Sequence, residues 1–357
     1  MKKILAISLL VTACLGSAMA GNKDRSGQAG ANELLINPWA RSSGWQGLNT
    51  AGVSGVEAMN LNCAGLASTQ KTEIVFSRTE WLAGSGISIN AGGFSQKLGD
   101  KGGVLGVSIM SIGFGDIQIT TTSLPEGGLG TYKPQFLNLA LAYSKVFSNS
   151  IYGGFVVRGI SESISNVGAF GLSIDAGVQY HTGNKTYPER MKFGIALRNI
   201  GTPMKFGGDG LSFKGNSQET GSSSTSTYVM TVEQRSAKFE LPSLLNIGAS
   251  YDFHPGTSGN TRITLAANFT SNSFTRDQVG IGLEGALHEM FMLRVAYNYE
   301  GGILSTDQRT NVMTGLSAGL SVVVPAKETG PHFELDYSFR ATNPWNGIHS
   351  IGVRAIL

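Results

Sequence analysis

The sequence predicts an all-β fold: a 14-stranded antiparallel transmembrane β-barrel with a short N-terminal plug-like segment. Three observations predict it. First, fourteen stretches from residue 71 onward alternate apolar and polar residues one by one. Leu137, Leu139, Leu141 and Tyr143 share one face of such a stretch, and Asn138, Ala140, Ala142 and Ser144 the other; Phe333, Leu335, Tyr337 and Phe339 oppose Glu334, Asp336, Ser338 and Arg340 in the same way. Successive strand side chains point to opposite faces, and a barrel in lipid turns its apolar face outward and its polar face to the lumen. Second, charged residues make up only 14% of the chain and no apolar run is long enough for a spanning helix. Third, the connections between the stretches alternate in length.

The elements follow in order. Lys2 and Lys3, an apolar run over 4–13 and the small residues Ala18-Met19-Ala20 read as a signal peptide over 1–20, with cleavage after Ala20. The stretch Val11-Thr12-Ala13-Cys14 also resembles a lipoprotein box, which leaves a lipid anchor on Cys14 as an alternative. Removal of 1–20 takes away two lysines and no acids, so the net charge falls from +3 to +1. A near-neutral chain gives no electrostatic basis for binding nucleic acid. Only Cys63 then remains, so no internal disulfide is available.

Residues 21–70 form an N-terminal segment. Trp45, Val53, Val56, Met59, Leu61 and Leu66, spaced by Gly and Ala, suit one or two short helices that plug the barrel; a strap outside it is the alternative. The barrel occupies 71–357. Strands are expected at 71–82, 84–98, 102–122, 135–148, 150–164, 167–183, 189–200, 241–254, 260–272, 276–288, 290–301, 312–325, 331–342 and 346–357. The three longest connections, 123–134, 202–240 and 302–311, all follow odd-numbered strands, and connections after even-numbered strands are short. Outer-membrane barrels combine short periplasmic turns with long outer loops. That parity places both chain ends in the periplasm and the protein in the cell outer membrane. Trp81, Tyr143, Tyr180, Tyr251, Phe253, Tyr297 and Tyr299 sit at strand ends, where interface aromatics belong.

The alternation sends Arg158, Lys192, Arg198, Arg262, Arg294, Arg340 and Arg354 into the lumen, with Asp175, Asp252, Glu284, Glu300, Glu334 and Asp336. A selective pore presents rings of one sign; this mixture reads as a salt-bridged interior. Many remaining luminal positions are Gly, Ala or Ser, which leaves room for an inserted segment. No catalytic constellation stands out. The five histidines lack metal-ligand spacing, and no Gly-x-Ser-x-Gly elbow is present. The expectation is a non-enzymatic chain without cofactor or metal. The extracellular loop 202–240 is the candidate partner-binding element, through Met204, Phe206, Leu211, Phe213, Tyr228 and Met230 around a Ser/Thr-rich tip.

Several stretches carry a family resemblance: Leu35-Ile36-Asn37-Pro38-Trp39-Ala40-Arg41; Leu197 to Phe206; Gly208-Asp209-Gly210-Leu211-Ser212; and Tyr337 to Trp345 running into Gly347 to Arg354. Together they resemble the PorV/PorQ family of Bacteroidota outer-membrane proteins, most of all its PorV branch, which is itself similar to FadL-type fourteen-stranded barrels. Relatives often read Asn-Pro-Ala-Gly-Leu-Ala where this chain has Asn62-Cys63-Ala64-Gly65-Leu66-Ala67. The resemblance implies a component of the type IX protein secretion system that binds secreted cargo at the translocon and shuttles it to the surface attachment machinery. It implies as partners the giant outer-membrane translocon barrel, the C-terminal domains of secreted cargo, attachment-complex proteins and outer-membrane lipid. The competing expectations are a FadL-like transporter of hydrophobic molecules, a lipid-modifying enzyme and a general porin. His349 and Ser350 are adjacent in one strand and face opposite ways, which weakens the enzyme.

Overall fold

The structure, a computed structural model, describes residues 21, 23–99, 102–220, 225–255, 260–325 and 331–357. The signal peptide over 1–20, its cleavage after Ala20 and the lipid-anchor alternative at Cys14 lie outside the described residues. Fourteen antiparallel strands form a closed barrel. They are β1 (Thr72–Trp81), β2 (Ile87–Lys97), β3 (Val104–Gly113), β4 (Gln135–Ser148), β5 (Ile151–Ile164), β6 (Val167–Thr182) and β7 (Met191–Gly201). After the long connection come β8 (Leu244–Phe253), β9 (Thr261–Asn272), β10 (Gln278–Leu287), β11 (Phe291–Glu300), β12 (Met313–Pro325), β13 (His332–Thr342) and β14 (Ile348–Ile356). Closure is made by β1 on β14, in register from Glu73 opposite Ile356 to Glu80 opposite His349. Pairing the first strand with the last removes the open edges that lipid could not satisfy.

Side-chain exposure gives the barrel its orientation. Leu137, Leu139 and Leu141 are exposed, whereas Asn138, Ala140, Ala142 and Ser144 are buried. The same inversion holds for Phe333, Leu335 and Tyr337 against Glu334, Asp336, Ser338 and Arg340. An apolar outer belt around a charged interior is the pattern of a membrane-spanning barrel. The longest connections, 114–134, 202–243 and 301–312, share one mouth, and the connections after even-numbered strands form the other. At that short-turn mouth β10 reverses into β11 through residues 288–290, with His288 and Glu289 both at positive φ, the backbone twist that suits a tight hairpin.

Three differences from the sequence expectation have physical reasons. The third strand stops at Gly113 instead of running to 122. Beyond it the chain turns at Gly115, and Ile117–Gln118 pairs with Thr131–Tyr132 in a small hairpin of its own. Trp81 is not an interface aromatic: it points inward, packs against the Trp39 cluster and lies under the Arg340 guanidinium at 5.4 Å. The two ends of the barrel chain also part company. Leu357 pairs with Thr72 at the short-turn mouth, but Gly21 and Gly30 bond to Asp277 and Glu240 beside the long loops.

Residues 29–69 run inside the lumen, so they are not an external strap. A helix over Ala40–Gly44, another over Ala58–Leu61 and 3₁₀ turns at Gly55–Glu57 and Cys63–Ser68 carry the chain from the long-loop mouth to the start of β1. The core lies between this plug and the inner wall. Trp39 and Val56 pack on Val75, Ile89 and Met110; Met59, Leu61 and Leu66 pack on Val104, Ala140 and Val156; Leu34 packs on Ile160 and Leu241. Luminal glycines let the plug approach the backbone of the wall. A Cβ on Gly280 would lie 2.2 Å from Leu48 Cδ2, and one on Gly177 2.1 Å from Asn62 Oδ1. Close backbone approach of this kind is what glycine in a strand permits.

Candidate functional site

Charge pairing fixes the plug to the wall. Arg354 on β14 donates to Glu57 of the plug and lies 3.2 Å from Glu73 and 3.4 Å from Glu334. Arg41 of the plug sits 3.0 Å from the same Glu334. The belt continues through Arg294 to Glu284 at 2.8 Å and Arg262 to Glu284 at 3.1 Å. On the other wall Arg158 donates to Asp175 at 3.0 Å and to the Met59 carbonyl at 3.1 Å. Asp175 accepts from the backbone N–H of Asn199 at 2.6 Å. Asn199 is left-handed, where the β6–β7 register shifts, and its side chain caps the Pro242 carbonyl at 3.0 Å. Buried charges are tolerable when paired and hydrogen-bonded, and these are.

The sequence expectation named most of the wall residues in these pairs. It missed Glu33, Arg41 and Glu57, because the plug has no strand periodicity to assign them a face. It also missed Glu73 and Glu162, which occupy inward positions of β1 and β5 and were open to the alternation argument. Glu33 stands apart from the charge-paired groups: among the described residues neither carboxylate oxygen makes a hydrogen bond of good geometry, and the carboxyl faces that of Glu162. Burial, reinforced by the Glu162 carboxylate, pushes its pKa up to about 8. Burial likewise pushes the Cys63 thiol up to about 12, which makes it an inert packing residue. At the short-turn mouth, Glu189 is held at about 2 by His181, whose Nδ1 is 3.5 Å away.

The plug divides the free space of the lumen. A cavity of about 600 Å³ lies below the long-loop mouth, lined by Leu35, Leu48, Phe274, Ile303, Asn298 and Arg340 among others. A second of about 550 Å³ opens at the short-turn mouth between Tyr152, His181, Lys192, Asp252 and Arg262. Between them stands the plug stretch 45–53: Gln46 and Leu48 line the first, Trp45, Asn49 and Val53 the second. The second cavity is walled largely by charge, so it offers no apolar track to match the first.

The long connection 202–243 forms the most prominent structure outside the barrel. Ser212–Thr220 and Thr225–Glu233 make a hairpin, and Met204–Lys205 pairs with Lys238–Phe239 at its base. The six expected contact residues separate into two groups. Met204 is fully buried beside Leu34, Ile160 and Leu241, and Phe206 rests at 5.5 Å on Phe239, so both secure the base. Leu211 is half-buried at the hairpin's foot. Phe213 and Met230 are exposed at 54% and 49%. Register sets Phe213 opposite Val232 and Gly215 opposite Met230, which puts Phe213, Met230 and Val232 on one face. Tyr228 lies in the same hairpin, opposite Ser217. Val232, also exposed, completes that apolar face and was missed; Val229, exposed too and named among the apolar residues of this connection in the sequence, lies on the other face. Among the described residues no group of three or more His, Cys, Asp or Glu is placed to hold a metal.

No family model matches this sequence, and no curated protein matches it. The fold resembles that of solved outer-membrane barrels. The toluene transporter TodX of Pseudomonas putida matches over 86% of this chain and 93% of its own, with a TM-score of 0.50 and 10% identity. A Pseudomonas aeruginosa FadL homologue matches over 88% and 97%, with a TM-score of 0.47 and 12% identity. At such identity the likeness to TodX concerns the fold alone.

Proposed function

We propose that this chain is a non-enzymatic outer-membrane component of the type IX protein secretion system. It binds secreted cargo at the translocon and shuttles it to the attachment machinery, after signal-peptide cleavage near Ala20. The observation that carries this reading is the hairpin of the 202–243 connection, which holds Phe213, Met230 and Val232 exposed on one face above a barrel filled by its own chain. An exposed apolar face on a secured loop is built for protein contact, and an occluded lumen does not serve solute flow. The sequence resemblance to the PorV branch supplies the identity of the partners: the giant translocon barrel, the C-terminal domains of cargo, attachment-complex proteins and the surrounding lipid. Affinity purification of the tagged protein from outer membranes in mild detergent, followed by mass spectrometry, tests it. A very large barrel and secreted proteins sharing a C-terminal domain are expected among the captured proteins; capture of the barrel alone would count against the reading.

A second reading, transport of hydrophobic molecules, draws on the fold likeness to TodX and on the partly apolar cavity of about 600 Å³. It requires the plug to leave the lumen. Uptake of a labelled fatty acid by liposomes carrying the purified barrel would favour it.

A further inference from the structure

Gly21 occupies an unusual seat. The backbone nitrogen of Gly21 donates to Asp277 Oδ2 at 2.6 Å, in the β9–β10 connection at the long-loop mouth. The seat admits only glycine: a Cβ there would meet the Asp277 nitrogen at 2.6 Å and the Thr275 carbonyl at 2.9 Å. The carboxylate is oriented from its other side, where Oδ1 accepts from the Asn272 backbone at 3.1 Å. Four residues on, the chain is fastened again. Arg25 stacks over Phe274 at 4.2 Å and lies 3.1 Å from Glu240. The same residue that follows the Ala18-Met19-Ala20 cleavage pattern is thus the one whose nitrogen rests against a carboxylate.

We propose that cleavage creates a ligand for the barrel itself: the new α-ammonium of Gly21 is bound by Asp277, and maturation thereby fastens the plug at the long-loop mouth. The inference rests on the leader reading given under the proposed function. In the step itself, water hydrolyses the Ala20–Gly21 amide. The carbon–nitrogen bond breaks, the leader leaves with a carboxylate on Ala20, and Gly21 takes up a proton to become an ammonium ion. One neutral N–H donor becomes a cation with three, and hydrogen bonds between charged groups are shorter and about twice as strong as neutral ones. Before cleavage the carboxylate meets an amide; afterwards it meets its counter-ion, in a half-buried setting that weakens screening.

The test uses mature protein purified from outer membranes, as wild type and as Asp277→Asn and Asp277→Glu variants. N-terminal sequencing identifies the first residue. The rate at which a water-soluble N-hydroxysuccinimide ester acylates the α-amine at neutral pH, read by mass spectrometry of the N-terminal peptide, reports its ionisation. The expected result is a chain beginning at Gly21 whose α-amine reacts about tenfold more slowly than in Asp277→Asn, since one pKa unit removes nine-tenths of the free amine. Asp277→Glu, which keeps the charge, is expected to retain most of that protection. Equal rates in all three chains beginning at Gly21 would overturn the pairing and leave the leader reading standing. A different first residue would overturn both. Lysine acylation and heat-modifiable migration on gels serve as controls for folding.

Discussion

Glu57 in the plug and Arg354 in the last strand share a direct hydrogen bond across the lumen, so a residue near the start of the chain is tied to the strand that closes the barrel. Arg354 is also the common counter-ion of Glu73 and Glu334. Its loss would leave Glu57 and Glu73 without the counter-ion they share and Glu334 with Arg41 alone.

Arg354→Met is therefore expected to destabilise the barrel by roughly 3–5 kcal/mol, the cost of leaving buried charge uncompensated. Glu57→Gln, which keeps an acceptor and leaves Arg354 two other carboxylates, should cost much less. The temperature at which the barrel loses its compact migration on gels measures both, and Arg354→Met should show the larger fall.

Gly280→Val places side-chain atoms where Leu48 now lies. Overpacking of this kind costs about 1–3 kcal/mol, and the plug, held by fewer backbone bonds than the wall, should yield first. The expected outcome is faster tryptic cleavage after Arg41 with heat-modifiable migration unchanged. Unchanged cleavage would mean that Leu48 does not anchor the plug.

Glu33 gives the plug a pH dependence of definite sign. Its folded pKa, up to about 8, exceeds the ordinary value of 4.5, so the folded state binds the extra proton. Its adverse contribution grows as pH rises from about 4.5 through 8 and is constant above. Glu162 and Arg158 face the same carboxylate. Protease resistance of residues 23–41 should fall across that window in the wild type. In Glu33→Gln, which is neutral throughout, the decline should flatten.

How much of this was legible follows from which physical rule wrote each part. A barrel in lipid forces apolar residues outward at every second position, so Leu137, Leu139 and Leu141 declared their strand, and Arg294 and Glu284 their lumen. The end of the third strand was hidden because alternation near Gly113 and Gly115 is blurred by residues without side chains. The path of residues 21–70 was hidden for another reason. Its direction is set by glycines such as Gly177 and Gly280, scattered over distant strands, and by partners such as Glu240 and Asp277 far along the chain. In the long connection, apolar character marked both Met204 and Phe213. Packing against Leu34, Ile160 and Leu241 takes Met204 inside, and the register of the hairpin turns Phe213 outward; neither can be read from apolar character.

The most direct test of the central claim is quantitative co-purification with the triple variant Phe213→Ser, Met230→Ser, Val232→Ser. These side chains support neither the barrel nor the plug, so abundance and heat-modifiable migration should match the wild type. Loss of the translocon barrel and of cargo from the captured proteins is expected. Retention of those partners at wild-type levels by an abundant, folded variant would contradict the assignment of the hairpin as the docking surface.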